Sequence, residues 1–155
     1  MMRRWGKGLG LAALSLAVSA LAWSGIGEAA APPVVVPAKV GSMAAAVKVG
    51  QDLYMHDRFG GMRTCNTCHT NGGRGPGKLP NGATIPSLQG AAAAFPRFVP
   101  ATGRVITLEQ QLVKCIAGGI GGRPPALGSV ALNDLAAYVT SLSKGAVMGS
   151  QFEGH

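Results

Sequence analysis

Two cysteines three positions apart, with a histidine directly after the second, constrain this chain more than any other feature. They form the segment Cys65-Asn66-Thr67-Cys68-His69. This spacing is the attachment signature of a c-type haem, because each thiol forms a thioether with one vinyl group and the two vinyls lie on neighbouring edges of the porphyrin. The adjacent histidine is then carried under the iron as its proximal ligand. The segment therefore predicts one covalently attached haem, bound through Cys65, Cys68 and His69.

Two other uses of these cysteines are open at the level of the sequence. Cysteines of exported proteins often pair as disulfides, and zinc is bound by sets of cysteine and histidine. A zinc site here would need Cys65, Cys68 and His69 together with the distant Cys115. Zinc sites usually bring their ligands in two close pairs, and no second pair is present. The spacing therefore favours haem over both alternatives.

The first 31 residues have the composition of an export signal. Three basic residues lie within the first seven positions, residues 9–27 are largely apolar, and small alanines follow at positions 29–31. This layout predicts a cleaved secretory signal peptide and a periplasmic protein. An uncleaved membrane anchor is the alternative, because the apolar stretch is long enough to span a bilayer.

The charge balance bears on the class of partner. Without residues 1–31 the net charge falls from +8 to +6, so the remaining chain is still basic. A basic balance often indicates nucleic acid or an anionic surface. Here the lysines and arginines are scattered singly, without aromatic residues between them, and an exported protein does not meet nucleic acid. The charge instead favours an acidic partner protein or an anionic substrate, and a membrane only if the anchor is retained.

The rest of the chain predicts an all-α domain over residues 42–145. A proline-containing linker covers residues 32–41, since proline disfavours helix on both sides, and residues 146–155 form a flexible tail. The first helix covers residues 42–56 and the last covers residues 130–143, each with a serine at its N-cap.

A second helix is predicted between these two, followed by two glycines that end it. Thr107 and Gln110 have the spacing of a capping box at its start. Leu108, Leu112 and Cys115 fall on one face of this helix.

Residues 57–106 are rich in glycine and proline and show no strand pattern, so they are predicted to be mostly loop. A loop of this length is uncommon within a small domain unless it has a function. A cofactor that takes the place of a side-chain core explains it.

Residues 42–144 resemble the class I cytochromes c. Gly50, Leu53 and Tyr54 resemble that family's first-helix signature, and Ala137-Tyr138 resembles its partner in the last helix. The resemblance implies a fold of three to four helices with long loops wrapped around one haem. It also implies that Gly50 lies against Tyr138, where the first and last helices cross.

The second axial ligand of the iron is a separate question. Class I iron ordinarily takes a methionine before the last helix, and residues 106–129 contain none. Cys115 is the soft ligand of this stretch, 46 residues after His69. A thiolate binds iron directly and lowers its reduction potential. Met148 is the alternative ligand, and a buried, inert thiol is the alternative role for Cys115.

The segment from Ile106 to Cys115 is similar to one in thiosulfate dehydrogenases and in the SoxA cytochrome subunit, where its cysteine is a haem ligand. Phe95-Pro96-Arg97-Phe98 and Pro86-Ser87-Leu88 also resemble that group. The resemblance implies His/Cys axial ligation and a link to sulfur-compound oxidation. In methionine-ligated relatives the methionine lies five residues after the cysteine position, where this chain has Ile120. Thiosulfate dehydrogenases carry two haem motifs and this chain has one, which favours a carrier or a subunit over an independent enzyme.

Three arginines in the loops around Cys115 are candidate anion-binding residues: Arg97, Arg104 and Arg123. Arginine matches sulfur oxyanions such as thiosulfate or sulfite by paired hydrogen bonds. Pairing with haem propionates and simple solvation are the alternative roles.

These features predict a periplasmic monohaem cytochrome that exchanges single electrons with a redox partner protein and is linked to thiosulfate or sulfite oxidation. Whether the chain is itself an enzyme stays open. One alternative is an enzyme or enzyme subunit of thiosulfate oxidation in which Cys115 takes part in the chemistry. The other is a haem sensor that binds a small ligand.

Overall fold

Two crossing helices form the centre of the fold in the computed structural model, which describes residues 32–79 and 81–149. These helices are α1 (Met43–His56) and α4 (Val130–Ser141). Each begins at a predicted serine cap. The Ser42 hydroxyl accepts a hydrogen bond from the backbone N–H of Ala45 at 3.1 Å, and the Ser129 hydroxyl accepts one from Leu132 at 3.4 Å. The sequence therefore located both helices correctly, because side-chain caps satisfy N–H groups that a helix start leaves free.

The crossing of α1 and α4 depends on Gly50. A Cβ atom on Gly50 would overlap the backbone carbonyl oxygen of Asp134 and would lie 2.9 Å from the Cβ of Tyr138. The two backbones are therefore in direct contact, and the predicted pairing of Gly50 with Tyr138 is confirmed. The Tyr138 ring also packs against Tyr54, with 5.3 Å between ring centroids and a tilt of 58°.

A single apolar cluster surrounds this crossing. Val34 and Val36, from segment 32–41, pack against it. The buried members are Leu53, Tyr54, Leu112, Ile116, Ile120, Leu132, Leu135, Ala136, Tyr138 and Val139.

Helix α3 (Leu108–Lys114) begins with the predicted capping box. The Thr107 hydroxyl accepts from the Gln110 N–H at 3.4 Å, and the Gln110 side-chain oxygen accepts from the Thr107 N–H at 2.9 Å. After Lys114 the chain widens into a π-helical turn, Cys115–Gly119.

The core-facing side of this helix is continued by Ile116 and not by Cys115. The core contacts are made by Leu112 and Ile116, which stand four residues apart, and Ile116 is only 1 % exposed. Cys115 lies beside that pair and is exposed. Both spacings fit a helical stripe, so the choice between positions 115 and 116 depends on what the helix packs against.

Residues 57–106 contain more regular structure than predicted. The prediction of no strands is wrong, because two antiparallel hairpins are present, and in the second one Phe98 pairs with Val105. Their strands have only two or three residues, too few for an alternating pattern to appear in the sequence. The elements are α2 (Cys65–Cys68), β1 (Gly77–Lys78), β2 (Thr84–Ile85), a 3₁₀ turn (Ala91–Ala94), β3 (Arg97–Val99) and β4 (Arg104–Ile106).

The predicted end segments are only partly described. Residues 146–149, which belong to the predicted flexible tail, turn back so that the Gly149 N–H donates to the Ala93 carbonyl at 2.7 Å. The predicted signal peptide at residues 1–31 and the end of the tail at 150–155 lie outside the described residues. Among the helices that the structure describes, none is long and apolar enough to cross a membrane.

One charged side chain lies in the interface between α1 and α4. Asp134 is 3 % exposed, and its Oδ2 atom has no hydrogen-bond partner within the described part of the chain. Burial raises the pKa of this carboxyl above its ordinary value of 3.8. The folded protein therefore holds this proton more tightly than the unfolded chain does. The carboxyl costs no stability below pH 3.8 and destabilises the folded state increasingly as the pH rises through the raised pKa.

We expect Asp134→Asn to increase the free energy of unfolding at pH 7 by about 1 kcal/mol, because an unpaired buried charge is removed. The advantage should shrink as the pH falls towards 4. Urea titrations of both proteins at several pH values measure it. Asp52→Asn is the matched control, since the Asp52 side chain is half-exposed and its Oδ2 lies 3.8 Å from Nζ of Lys48. If the free energies of unfolding of wild type and Asp134→Asn differed by the same amount at every pH, the raised pKa of Asp134 would be contradicted.

Candidate haem site

The two motif cysteines stand at the ends of α2, which is a single helical turn. The turn begins at Thr64, whose N–H donates to the Thr67 hydroxyl at 3.2 Å. Residues three apart on a helix lie on the same face, so Cys65 and Cys68 present their sulfurs together. Both are half-exposed free thiols, which makes them accessible to a group that binds from outside the polypeptide core.

His69 follows α2 and is held at three points. Its N–H donates to the Cys65 carbonyl at 3.1 Å, its carbonyl accepts from the Tyr54 hydroxyl at 2.9 Å, and its ring Nδ1 lies 2.9 Å from the Pro86 carbonyl oxygen. A carbonyl only accepts, so Nδ1 carries the proton and Nε2 keeps its free lone pair. Burial lowers the pKa of His69, although the bond to Pro86 opposes the shift. The neutral imidazole that results is the form that binds metals, and a carbonyl on the other ring nitrogen is the usual means of orienting it.

The loop after His69 is fastened to both central helices. The Tyr138 hydroxyl of α4 donates to the Gly72 carbonyl at 2.8 Å, while Tyr54 of α1 holds His69. Gly72 has φ 62°, a left-handed conformation that glycine adopts without strain. Farther along, a Cβ on Gly77 would overlap the Cys68 carbonyl oxygen. The motif is therefore held in place by the two tyrosine hydrogen bonds and by close packing of the Gly77 backbone against Cys68.

Cys115 is the first residue of the π-helical turn that follows α3. Its sulfur is exposed and accepts a hydrogen bond from Nε2 of Gln111 at 3.3 Å. Burial is the main cause that raises the pKa of Cys65, to about 12.

This donor set fits a c-type haem better than the alternatives. It offers two thiols one helical turn apart, a neutral imidazole beside them and a further exposed sulfur on a separate helix. A zinc ion would require these groups to converge, yet no three His, Cys, Asp or Glu side chains within residues 32–79 and 81–149 are placed to share a metal. The disulfide alternative also lacks support, because all three cysteines are free.

Comparison with known families agrees with this chemistry. The family model described as SoxA/TsdA, cytochrome c domain, matches residues 49–148. The chain belongs to the SoxA/TsdA cytochrome c domain family. The predicted class I cytochrome c resemblance and the mostly helical fold are confirmed, and a domain of this kind carries covalently bound c-type haem.

The relatives of this SoxA/TsdA domain include two thiosulfate dehydrogenases. The protein from Allochromatium vinosum is 35% identical over 99 residues, which cover 64% of this chain and 36% of the relative. The protein from Thiomonas intermedia is 32% identical over 114 residues, which cover 70% of this chain and 34% of the relative. The chain therefore spans about a third of the length of these relatives.

Two solved structures share the fold of this SoxA/TsdA domain. Thiosulfate dehydrogenase TsdBA from Marichromatium purpuratum, in its as-isolated form, has a TM-score of 0.56 at 21% identity, and the match covers 77% of this chain and 27% of that one. SoxXA from P. pantotrophus has a TM-score of 0.51 at 20% identity, with coverage of 72% and 37%.

The predicted anion-binding arginines of this SoxA/TsdA domain do not form one cluster. Arg97 reaches the Cys115 region, because its Nη2 donates to Oε1 of Gln111 at 3.1 Å. Arg104 lies on the neighbouring strand β4. Arg123 lies in a separate loop, where its backbone N–H donates to the Phe59 carbonyl at 2.7 Å.

Met148 lies away from the candidate haem ligands. It lines a cavity of about 330 Å³ together with Ala93, Phe95, Leu108 and Ser143, and none of the motif residues or Cys115 is in its wall. This placement gives no support to Met148 as an axial ligand.

Two neighbours of the ligands were not foreseen. The sequence did not predict that the Pro86 carbonyl accepts a hydrogen bond from the His69 ring, although the segment Pro86-Ser87-Leu88 was noted for its resemblance to thiosulfate dehydrogenases and SoxA. Gln111 was missed altogether, and its only signal in the sequence is its position four residues before Cys115.

Proposed function

We propose that this chain is a periplasmic monohaem c-type cytochrome that transfers single electrons in the oxidation of thiosulfate or a related sulfur compound such as sulfite. Cys65 and Cys68 hold the haem, and His69 Nε2 and Cys115 Sγ are the axial ligands. The haem supplies one-electron exchange at its iron. A single attachment motif in the sequence supports a single haem.

The observation that carries the proposal is the position of Cys115. Its sulfur is exposed and accepts a hydrogen bond from the side-chain amide of Gln111, one helical turn earlier. His69 approaches from the motif with Nε2 free. The imidazole of His69 and the sulfur of Cys115 come from separate elements, and both are groups that would bind haem iron.

The sulfur-compound link rests on the relatives, which are thiosulfate dehydrogenases. Joining two thiosulfate ions through a sulfur–sulfur bond releases two electrons, whereas one haem iron accepts one. A partner redox protein is therefore required, and the net charge of +6 that remains without residues 1–31 favours an acidic one.

Low-temperature EPR of the oxidised holoprotein tests the ligand set. We expect a low-spin signal typical of thiolate ligation in the wild type and its complete loss in Cys115→Ala, because no other sulfur lies at that position. Met148→Ala is the control for the alternative ligand and should keep the wild-type spectrum. An unchanged spectrum in Cys115→Ala would remove Cys115 from the iron.

Haem reduction by thiosulfate distinguishes a carrier from an enzyme. A carrier is reduced only when a catalytic partner is added, whereas an enzyme or catalytic subunit is reduced by thiosulfate alone and loses that activity in Cys115→Ala. Rapid CO binding to the reduced wild type would instead favour a sensor. Cell fractionation in a host that matures c-type cytochromes tests the periplasmic location.

A further inference from the structure

We propose that Gln111 is a positioning residue for the axial thiolate, and that its hydrogen bond to Cys115 raises the reduction potential of the haem. The inference rests on the proposed function, because it assumes that Cys115 ligates the iron. It goes beyond the ligand set by assigning a residue that controls the ligand.

The geometry places Gln111 next to the sulfur by helical spacing alone. Gln111 lies in α3 four residues before Cys115, and residues at this spacing share a helix face. Its Nε2 lies 3.3 Å from Sγ, a close approach for a sulfur acceptor. The capping box at Thr107 holds the start of α3, so the amide is presented by an ordered turn.

Arg97 determines which end of the amide faces the sulfur. A guanidinium has only donors, and its Nη2 lies 3.1 Å from Oε1 of Gln111. The oxygen must therefore face Arg97, and the NH₂ group must face Cys115. Arg97 is itself held over the Phe95 ring, with its Cζ 5.1 Å from the centroid, and its backbone pairs with Ile106 in the hairpin. The result is a directed chain of donors from Arg97 through Gln111 to the thiolate.

A donor aimed at a thiolate withdraws electron density from it. The ligand bears more negative charge when the iron is ferrous, so the hydrogen bond stabilises the reduced state more than the oxidised state. Hydrogen bonds to ligand sulfurs tune potentials in this way in other metal centres. Removing the donor is therefore expected to make the haem harder to reduce.

Redox titration of the matured holoprotein, followed optically, measures the effect. We expect Gln111→Leu to lower the equilibrium constant for one-electron reduction about tenfold, which is about 59 mV, and to shift the EPR g-values. Arg97→Gln should lower the potential by less, because the Gln111 amide stays but loses its orientation. Gln51→Leu makes the same chemical change at an exposed position of α1 and should leave the potential unchanged.

A double variant separates this inference from the proposed ligation. If Gln111 acts through the sulfur, Gln111→Leu should have no effect on the potential in a Cys115→Ala background. An equal shift in both backgrounds, or a wild-type potential and spectrum in Gln111→Leu, would overturn the role of Gln111 while leaving the thiolate in place. A wild type without the thiolate signal would overturn the ligation itself.

Discussion

Gly50→Ala is expected to destabilise the protein by about 3 kcal/mol, the upper end of the usual cost of overpacking. The added Cβ would overlap the carbonyl oxygen of Asp134 and approach the Cβ of Tyr138. The first of these is a backbone atom, so no side-chain rotation relieves the overlap and the two helices must separate. Alanine favours a helix interior over glycine by about 1 kcal/mol, and the overlap must outweigh this gain.

Urea unfolding of the holoprotein measures this difference. Gly41→Ala is the matched control, because a Cβ at Gly41 meets no atom within 4 Å, and it should change the free energy of unfolding by less than about 1 kcal/mol. Equal stability of wild type and Gly50→Ala would show that the helices do not cross at this residue. Haem absorbance should fall with the same transition, since Tyr54 and Tyr138 connect these helices to the His69 loop.

The double variant Cys65→Ser/Cys68→Ser is expected to lose all covalently bound haem. Serine keeps the size and polarity of the side chain but does not form the thioether, so only His69 and Cys115 remain to hold the group. Haem staining of a denaturing gel and extraction into acid–acetone measure the loss. In the wild type the haem should stay with the denatured chain.

Cys115→Ser is the matched control, because it removes the third cysteine and leaves both attachment positions intact. Its haem should stay on the denatured chain while its spectrum changes. Haem that remains covalently bound in the double variant, or haem lost from Cys115→Ser, would contradict the division of roles among the three cysteines.

Much of the fold was accessible from local signals. The caps at Ser42, Thr107 and Ser129 predicted three helix starts, because each side chain satisfies backbone groups within its own first turn. The crossing of Gly50 with Tyr138 was also predicted, although from resemblance to a family. The strands β3 and β4 were not predicted, because three residues are too few to show the two-residue alternation of a strand.

In the candidate haem site, too, the sequence predicted the features that depend on neighbouring residues and not the contacts between distant ones. The haem attachment segment was recognisable because thioether chemistry demands a contiguous spacing. The partner of His69 was not, because Pro86 is 17 residues away and contributes a backbone carbonyl, which every residue possesses. Cys115 was identified as a candidate ligand, but its exposure and its hydrogen bond to Gln111 were not predicted.

The sequence by itself determined the chemistry that depends on neighbouring residues: the haem motif, the helix caps and the one cysteine outside the motif. Only the tertiary structure decided which way that cysteine faces, and that Arg97 and Gln111 form a donor chain towards it. The physical reason is that covalent attachment and capping act over three or four residues, whereas orientation depends on which of two adjacent helical positions the core buries. The core buries the side chain of Ile116. Its neighbour Cys115 is exposed, and its sulfur accepts a hydrogen bond from the Gln111 amide.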